Sequence, residues 1–296
     1  MTDNEFLLSD RIQKIKSMNE LHDLEHNAYI SFSGGKDSTV LSTLIDMALP
    51  NNSIPRVFMN TGIEYKAIVD YVREREREDK RVIIVSPSQN ITEVLKTYGY
   101  PFKSKEHSLY VSVFQNSGKT KTVNRYLNRQ DLRFACPEKL KYQFTEENKI
   151  KISNKCCYKL KKEPLNKWAK DNNRTITITG MRSNEGGLRA ELKGCAIFNE
   201  GKLQKFHPLQ PISEEFIEWF IKEYNVKLCS LYYPPFNFKR TGCKGCPYST
   251  DLQNQLDIMS ILMPAEKKQC EIIWQPIYEE YRKLNYRLNQ QINLFD

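Results

Sequence analysis

Residues 29–48, YISFSGGKDSTVLSTLIDMA, run an apolar strand into a glycine pair and then directly into a helix. A strand joined to a helix by so tight a turn makes a βα unit. Val40, Leu41, Leu44, Ile45 and Ala48 share one face of that helix, so a sheet must cover it. Two glycines let backbone N–H groups approach an anion, and the helix N-terminus adds its partial positive charge. Ser33, Ser38 and Thr39 supply hydroxyl donors and Lys36 a positive charge. Asp37 would repel a bare phosphate unless Mg²⁺ lay between the two. The loop therefore predicts a metal-bound polyphosphate. A plain glycine turn with a helix N-cap is the alternative, and it would need no Lys–Asp pair.

The remaining pattern repeats the unit. Residues 9–26 read as an N-terminal helix, with Ile12, Ile15, Met18, Leu21 and Leu24 at helical spacing. AYISF, PRVFMN, RVIIVS and TITITG read as strands, the second ending at the turn NTG. Residues 64–80 form a helix whose outer part, REREREDK, is a solvated face of opposite charges. Strands alternating with helices predict an α/β fold, a doubly wound, mainly parallel sheet with a helical C-terminal extension. Ligands bind such sheets outside the carboxyl ends of the strands, which singles out loops 33–39, 60–65 and 180–189. The expected organisation is a helix over 1–27, a nucleotide-binding α/β domain over 28–210 and a mostly helical region over 211–296. Residues 100–150 are polar and weakly periodic, and read as an insertion of irregular helices forming a substrate-facing lid.

The formal charge is +9, and it is uneven: from Lys139 to Arg174 eleven basic residues face four acidic ones. Such a surface suits a nucleotide or nucleic acid, although a solvated lysine-rich face is the plain alternative. No run reaches the roughly 18–20 apolar residues needed to cross a bilayer, and the first residues lack a signal peptide's apolar core. The expectation is a soluble, cytoplasmic protein without a membrane partner. In that compartment eight cysteines argue for metal or redox chemistry rather than disulfides. Cys156 and Cys157 are adjacent, and Cys243 and Cys246 form a CxxC; Cys136, Cys195, Cys229 and Cys270 stand alone, as buried structural thiols commonly do. His22 and His26, spaced i,i+4, read as exposed helix residues rather than a metal pair. Tyr232, Tyr233, Phe236 and Phe238 beside the CxxC could stack on bases or pack as core.

Ser33-Gly34-Gly35-Lys36-Asp37-Ser38 resembles the PP-loop of the adenine nucleotide α-hydrolase superfamily, whose members act at the α-phosphate of ATP. NTGIEY at 60–65, CCYKLKKEPL at 156–165, GMRSNEGGLR at 180–189 and LYYPPFNFKRTGCKGC at 231–246 extend the resemblance to the phosphoadenosine phosphosulfate reductase-like family. It implies nucleotide contacts from Ser31, Ser33, Gly34, Gly35, Lys36, Asp37, Ser38, Thr39, Asn60, Thr61, Gly62, Gly180 and Arg182. Lys36, Asp37, Arg182 and Arg189 become the catalytic candidates, with surface salt-bridging as the alternative for the two arginines. It also implies a [4Fe–4S] cluster on Cys156, Cys157, Cys243 and Cys246, with zinc as runner-up. Lys155, Lys159, Lys161 and Lys162 would offset the charge of a cluster or substrate.

Two departures from the family decide the functional expectation. The sulfonucleotide reductases carry only a degenerate loop, whereas here SGGKDS is intact and fits ATP with Mg²⁺. They also need a cysteine in a Glu-Cys-Gly-Leu-His segment, and KKQCEIIW places Cys270 in an amphipathic helix without Gly-Leu-His. Asn60 stands where the family's turn has an acid, and Leu160 where the first basic residue follows CC. The expected enzyme is an ATP pyrophosphatase that adenylates a substrate for sulfur transfer, similar to components of DNA phosphorothioation systems and cluster-dependent tRNA thiolation enzymes. Its expected partners are an adenine nucleotide, a nucleic acid, a sulfur donor or redox protein, and a second copy of the chain. An adenylylsulfate or phosphoadenylylsulfate reductase using Cys270 is the alternative, and a non-catalytic nucleotide-binding module the second.

Overall fold

The computed structural model describes residues 2–129, 131, 135–183 and 194–290. In chain order the helices and strands are α1 (Asp3–His22), α2 (Leu24–Asn27), β1 (Ala28–Phe32), α3 (Lys36–Ala48), β2 (Arg56–Met59), α4 (Lys66–Glu78) and β3 (Val82–Val85). There follow α5 (Ile91–Tyr98), α6 (Lys105–Ser117), α7 (Lys121–Leu127), α8 (Lys155–Cys157), α9 (Glu163–Asp171), β4 (Ile176–Ile178), β5 (Ala196–Asn199) and β6 (Lys202–Phe206). The last helices are α10 (Glu214–Glu223), α11 (Leu252–Leu262), α12 (Pro264–Ile273) and α13 (Gln275–Lys283). The chain divides into two compact units, both discontinuous in sequence. One comprises 1–60, 64–86 and 164–241; the other comprises 61–63, 87–163 and 242–296.

The first unit holds a six-stranded sheet of order β3-β2-β1-β4-β6-β5. All neighbours are parallel except β5, which runs antiparallel to β6 at the edge. This is the expected mainly parallel α/β sheet, with two strands that the sequence reading lacked. Strand order reverses between β1 and β4, and sheets of this kind bind ligands at such a reversal, outside the carboxyl ends of the strands. Ile30 sits opposite Arg56 on one side and Ile178 on the other. The apolar face of α3 is buried as its spacing predicts, Val40, Leu41, Leu44 and Ile45 completely. Tyr29 and Val57 pack with Ala169, Leu165 and Trp168 of α9.

β2 buries an arginine. Arg56 is only 1% exposed, and its guanidinium reaches Asp46, Asn52 Oδ1, Ser42 Oγ and the Ile54 carbonyl. Paired and hydrogen-bonded in this way, the charge is tolerated inside. The N-terminal helix begins earlier than its spacing suggests, at Asp3, where Thr2 and Glu5 form a capping box. It buries Leu8, Ile15 and Met18 but leaves Leu21 73% exposed.

The second unit is helical. Residues 100–150 are more regular than expected: Ser104 and Thr120 cap α6 and α7 with side-chain hydrogen bonds to His107 N and Val123 N. Beneath them, buried His107 joins the Tyr126 hydroxyl at 2.9 Å and Gln143 Oε1 at 2.7 Å. Burial and Lys103 and Arg287 nearby lower its pKa to about 4, against the hydrogen bond it donates to Gln143 Oε1. No helix among the described residues is long and apolar enough to cross a membrane.

Candidate functional site

The loop between β1 and α3 lies at the reversal of strand order, and its glycines are set by close approach. Gly34 has φ +68°, and a Cβ there would stand 2.9 Å from Val72 Cγ2 of α4. A Cβ on Gly180, just beyond β4, would stand 2.9 Å from the Asp37 carbonyl oxygen. Two glycine loops, one after each strand flanking the reversal, thus meet backbone to backbone.

Side chains then tie the loop into a fixed shape. Ser33 N donates to Ser38 Oγ at 3.2 Å, Gly35 N donates to Ser33 Oγ at 3.3 Å, and Ser38 Oγ donates to the Gly35 carbonyl at 2.9 Å. Thr39 Oγ1 donates to the same carbonyl at 3.0 Å. Lys36 N donates to the Tyr232 hydroxyl at 3.0 Å, and that hydroxyl lies 2.8 Å from Thr241 Oγ1. Tyr232 therefore braces the loop with its hydroxyl, and burial raises its pKa. Phe238 is buried with its ring centroid 5.3 Å from that of Tyr65. Tyr233 is exposed, and its hydroxyl accepts from Leu228 N.

The charged groups converge. Arg182 is buried, with Nε 3.0 Å from Asp37 Oδ1 and its other end on Glu214. Lys36 Nζ also pairs with Glu214. Burial opposes ionisation of Glu214, but hydrogen bonds from Lys36 and Arg182 outweigh it and hold its carboxyl below the usual range. Lys36, Asp37 and Arg182, singled out from sequence, thus form one cluster with Glu214, which sequence reasoning missed. The only signal for Glu214 was its place at the start of a helix capped by Ser213.

Ser31 lies within β1 opposite Val57, one residue before the strand's end. Asn60 directly follows β2, its N–H donating to the Val85 carbonyl. Thr61 is buried and Gly62 adopts φ +80°; both belong to the second unit. Arg189 lies outside the described residues. His26 pairs with Asp23, and the His22 ring packs 5.7 Å from that of Phe198, so this pair reads as helix surface.

The second unit gathers the four cysteines. Cys156 and Cys157 occupy α8, which leads into a π-helical turn, Tyr158–Lys162, that points Leu160 inward. The Cys156 thiol donates to Cys157, which lowers the pKa of the Cys157 thiol against desolvation, helped by Lys105, Lys161 and Lys162. The same hydrogen bond, burial and the charges of Cys157, Cys246 and Cys243 push Cys156 up. Burial, with Cys243 and Cys157, pushes Cys246 up. The four thiols thus act on one another electrostatically, and four thiolates are a donor set that either an iron–sulfur cluster or zinc accepts. Among the described residues, no three His, Cys, Asp or Glu side chains are placed to hold a single metal ion.

The CxxC loop is clamped by the C-terminal helices. Trp274 Nε1 donates to the Lys244 carbonyl at 3.2 Å, the Tyr278 hydroxyl to the Gly245 carbonyl at 2.5 Å, and the Tyr281 hydroxyl to the Pro247 carbonyl at 2.9 Å. Lys244 Nζ is buried 3.1 Å from Glu266 Oε2. Gly245 has φ +60°, and a Cβ there would stand 2.8 Å from Cys270 Sγ. Cys270 is therefore the floor of this loop: it is fully buried, and burial pushes its thiol up to about 12.

The family model of the phosphoadenosine phosphosulfate reductase domain matches residues 27–136 and 121–249, spanning both glycine loops and both cysteine pairs. The chain belongs to this family. An uncharacterised protein of Methanocaldococcus jannaschii is 33% identical over 73 residues, 25% of this chain and 17% of that protein. Among solved structures, a phosphoadenylyl-sulfate reductase of Candida auris is similar over 73% of this chain and 81% of its own, with 16% identity and a TM-score of 0.44. An NH₃-dependent NAD synthetase of Campylobacter jejuni is similar over 96% and 97%, with 14% identity and a TM-score of 0.43. A U34-tRNA thiolase of Methanococcus maripaludis with its [4Fe–4S] cluster is similar over 98% and 82%, with 15% identity and a TM-score of 0.39.

Proposed function

We propose that this family member is an ATP pyrophosphatase: it binds ATP with Mg²⁺, adenylates a substrate, and serves sulfur transfer to a nucleic acid or a small molecule. The observation that carries this reading is the intact SGGKDS loop at the strand-order reversal, with Arg182 Nε 3.0 Å from Asp37 Oδ1. Loop amides would donate to phosphate oxygens, and the hydroxyls of Ser33, Ser38 and Thr39 would exchange their bonds within the loop for phosphate oxygens, while Lys36 and Arg182 neutralise the charge. Asp37 would hold Mg²⁺, which would supply charge neutralisation to the polyphosphate.

A substrate oxygen forms the new bond to the α-phosphorus. The bond from that phosphorus to the pyrophosphate oxygen breaks, pyrophosphate leaves with the electron pair, and the acceptor's proton passes to solvent. AMP then departs with the acceptor oxygen when a sulfide-level nucleophile from the sulfur donor bonds to the acceptor carbon. Positioning and charge stabilisation supply the rate gain. In the second unit, Cys156, Cys157, Cys243 and Cys246 would hold a [4Fe–4S] cluster, supplying iron chemistry for the sulfur step, with zinc as the alternative occupant. Lys105, Lys161 and Lys162, whose charges act on Cys157, would draw an anionic substrate toward it.

The reductase reading requires a reactive thiolate at Cys270, and a fully buried thiol with a pKa of about 12 does not supply one. Anaerobically prepared protein given Mg–ATP and nucleic acid should release AMP and pyrophosphate, and Lys36→Ala should abolish this. Sulfite from adenylylsulfate without pyrophosphate release would replace this reading with the reductase. ATP bound but intact under every condition would favour the non-catalytic module.

A further inference from the structure

Glu214 has no part in that chemistry, yet it takes both cations of the loop. One carboxylate oxygen accepts from Lys36 Nζ and the other from Arg182. Since Arg182 also pairs with Asp37, these four side chains link, among the described residues, two positive and two negative charges. A polyphosphate arriving at this loop therefore meets cations that carboxylates already engage.

The network is unequal in exposure. The Glu214 side chain is 43% exposed, while those of Lys36 and Arg182 are 17% and 6% exposed. Glu214 is the first residue of α10, where Ser213 Oγ accepts from Phe216 N at 3.2 Å and the helix end favours a carboxylate. A carboxylate spanning a lysine and an arginine makes the contacts that phosphate oxygens make. The two anions compete for the same donors.

We infer that Glu214 is an internal competitor of the nucleotide's phosphates: it holds Lys36 and Arg182 in position, yields them when a polyphosphate binds, and reclaims them to expel pyrophosphate. This rests on reading the loop as the ATP site. It makes Glu214 a positioning residue that tunes selectivity toward highly charged ligands, since a singly charged phosphate ester displaces it poorly.

The test is calorimetric titration of the full chain with inorganic pyrophosphate and with Mg–ATP, comparing wild type with Glu214→Gln, which keeps the shape and loses the charge. Binding of pyrophosphate should tighten about tenfold, because one competing charge at the cations is removed. Adding Lys36→Ala to Glu214→Gln should erase the gain. Glu214→Asp, too short to span both cations, should tighten binding by a smaller factor and serves if the glutamine variant does not fold. Equal or weaker binding by folded variants, with wild type binding normally, would overturn the inference and leave the ATP reading intact. No binding of either probe by any variant would overturn both.

Discussion

Arg182 Nε stands 3.0 Å from Asp37 Oδ1 and so joins the loop after β4 to the second residue of α3. A lysine could carry the charge but not the fork that touches Asp37 and Glu214 together. Arg182→Lys should therefore lower the rate of AMP formation about 100-fold, the scale of losing one fixed donor at a developing charge. Arg182→Ala should lower it further. Steady-state assays of pyrophosphate release check both; an unchanged rate in the lysine variant would make Arg182 structural.

The cysteine group makes a prediction independent of turnover. Cys156→Ser or Cys243→Ser should lose most bound iron and the broad visible absorption of anaerobic protein. Cys136→Ser, which changes a buried thiol raised to about 11, should keep both. Iron and sulfide assays read the difference, and a colourless, zinc-loaded wild type would remove the cluster from the account.

Cys270 should behave as packing. In native protein it should resist alkylation at pH 8 and react once the chain is unfolded, since its pKa is about 12 and it is fully buried. Cys270→Ser should cost about 1–3 kcal/mol, because a hydroxyl replaces an apolar contact under Gly245. AMP formation should persist. Mass spectrometry of labelled protein and thermal melts measure the two effects.

Two buried histidines set an acid limb of stability. Burial is the main cause that lowers His107 and His207 to about 4 from an ordinary 6.5. Between those values the unfolded chain binds more protons, so stability is full above pH 6.5 and falls as the pH drops toward 4. Each histidine should remove about 2 kcal/mol between pH 7 and pH 5. Urea titrations should show His107→Gln flattening that slope; an unaltered slope would contradict the buried neutral form.

Much of this was legible before the structure. The buried face of α3 follows from its spacing, because a helix on a sheet must hide every third or fourth residue. β5 was missed because an edge strand has little burial: Ile197 and Phe198 are exposed, while β6 lies inside the sheet but buries only Leu203 and Phe206 of its five residues. The hairpin's one local signal was Glu200-Gly201, both at positive φ in the turn. Glu214 was invisible because it meets Lys36 across 178 residues of chain, and no periodicity records such a meeting. The same holds for Trp274, Tyr278 and Tyr281, which looked like ordinary helix aromatics until their polar ends were seen on the carbonyls of the CxxC loop.

The most direct measurement is the product of Mg–ATP incubated anaerobically with nucleic acid and either wild type or Asp37→Ala, read by ion-pair chromatography. This account predicts pyrophosphate from wild type, matched by free AMP plus adenylylated acceptor, and neither above background from the variant. ADP and phosphate as products, or the same AMP yield from Asp37→Ala, would contradict it.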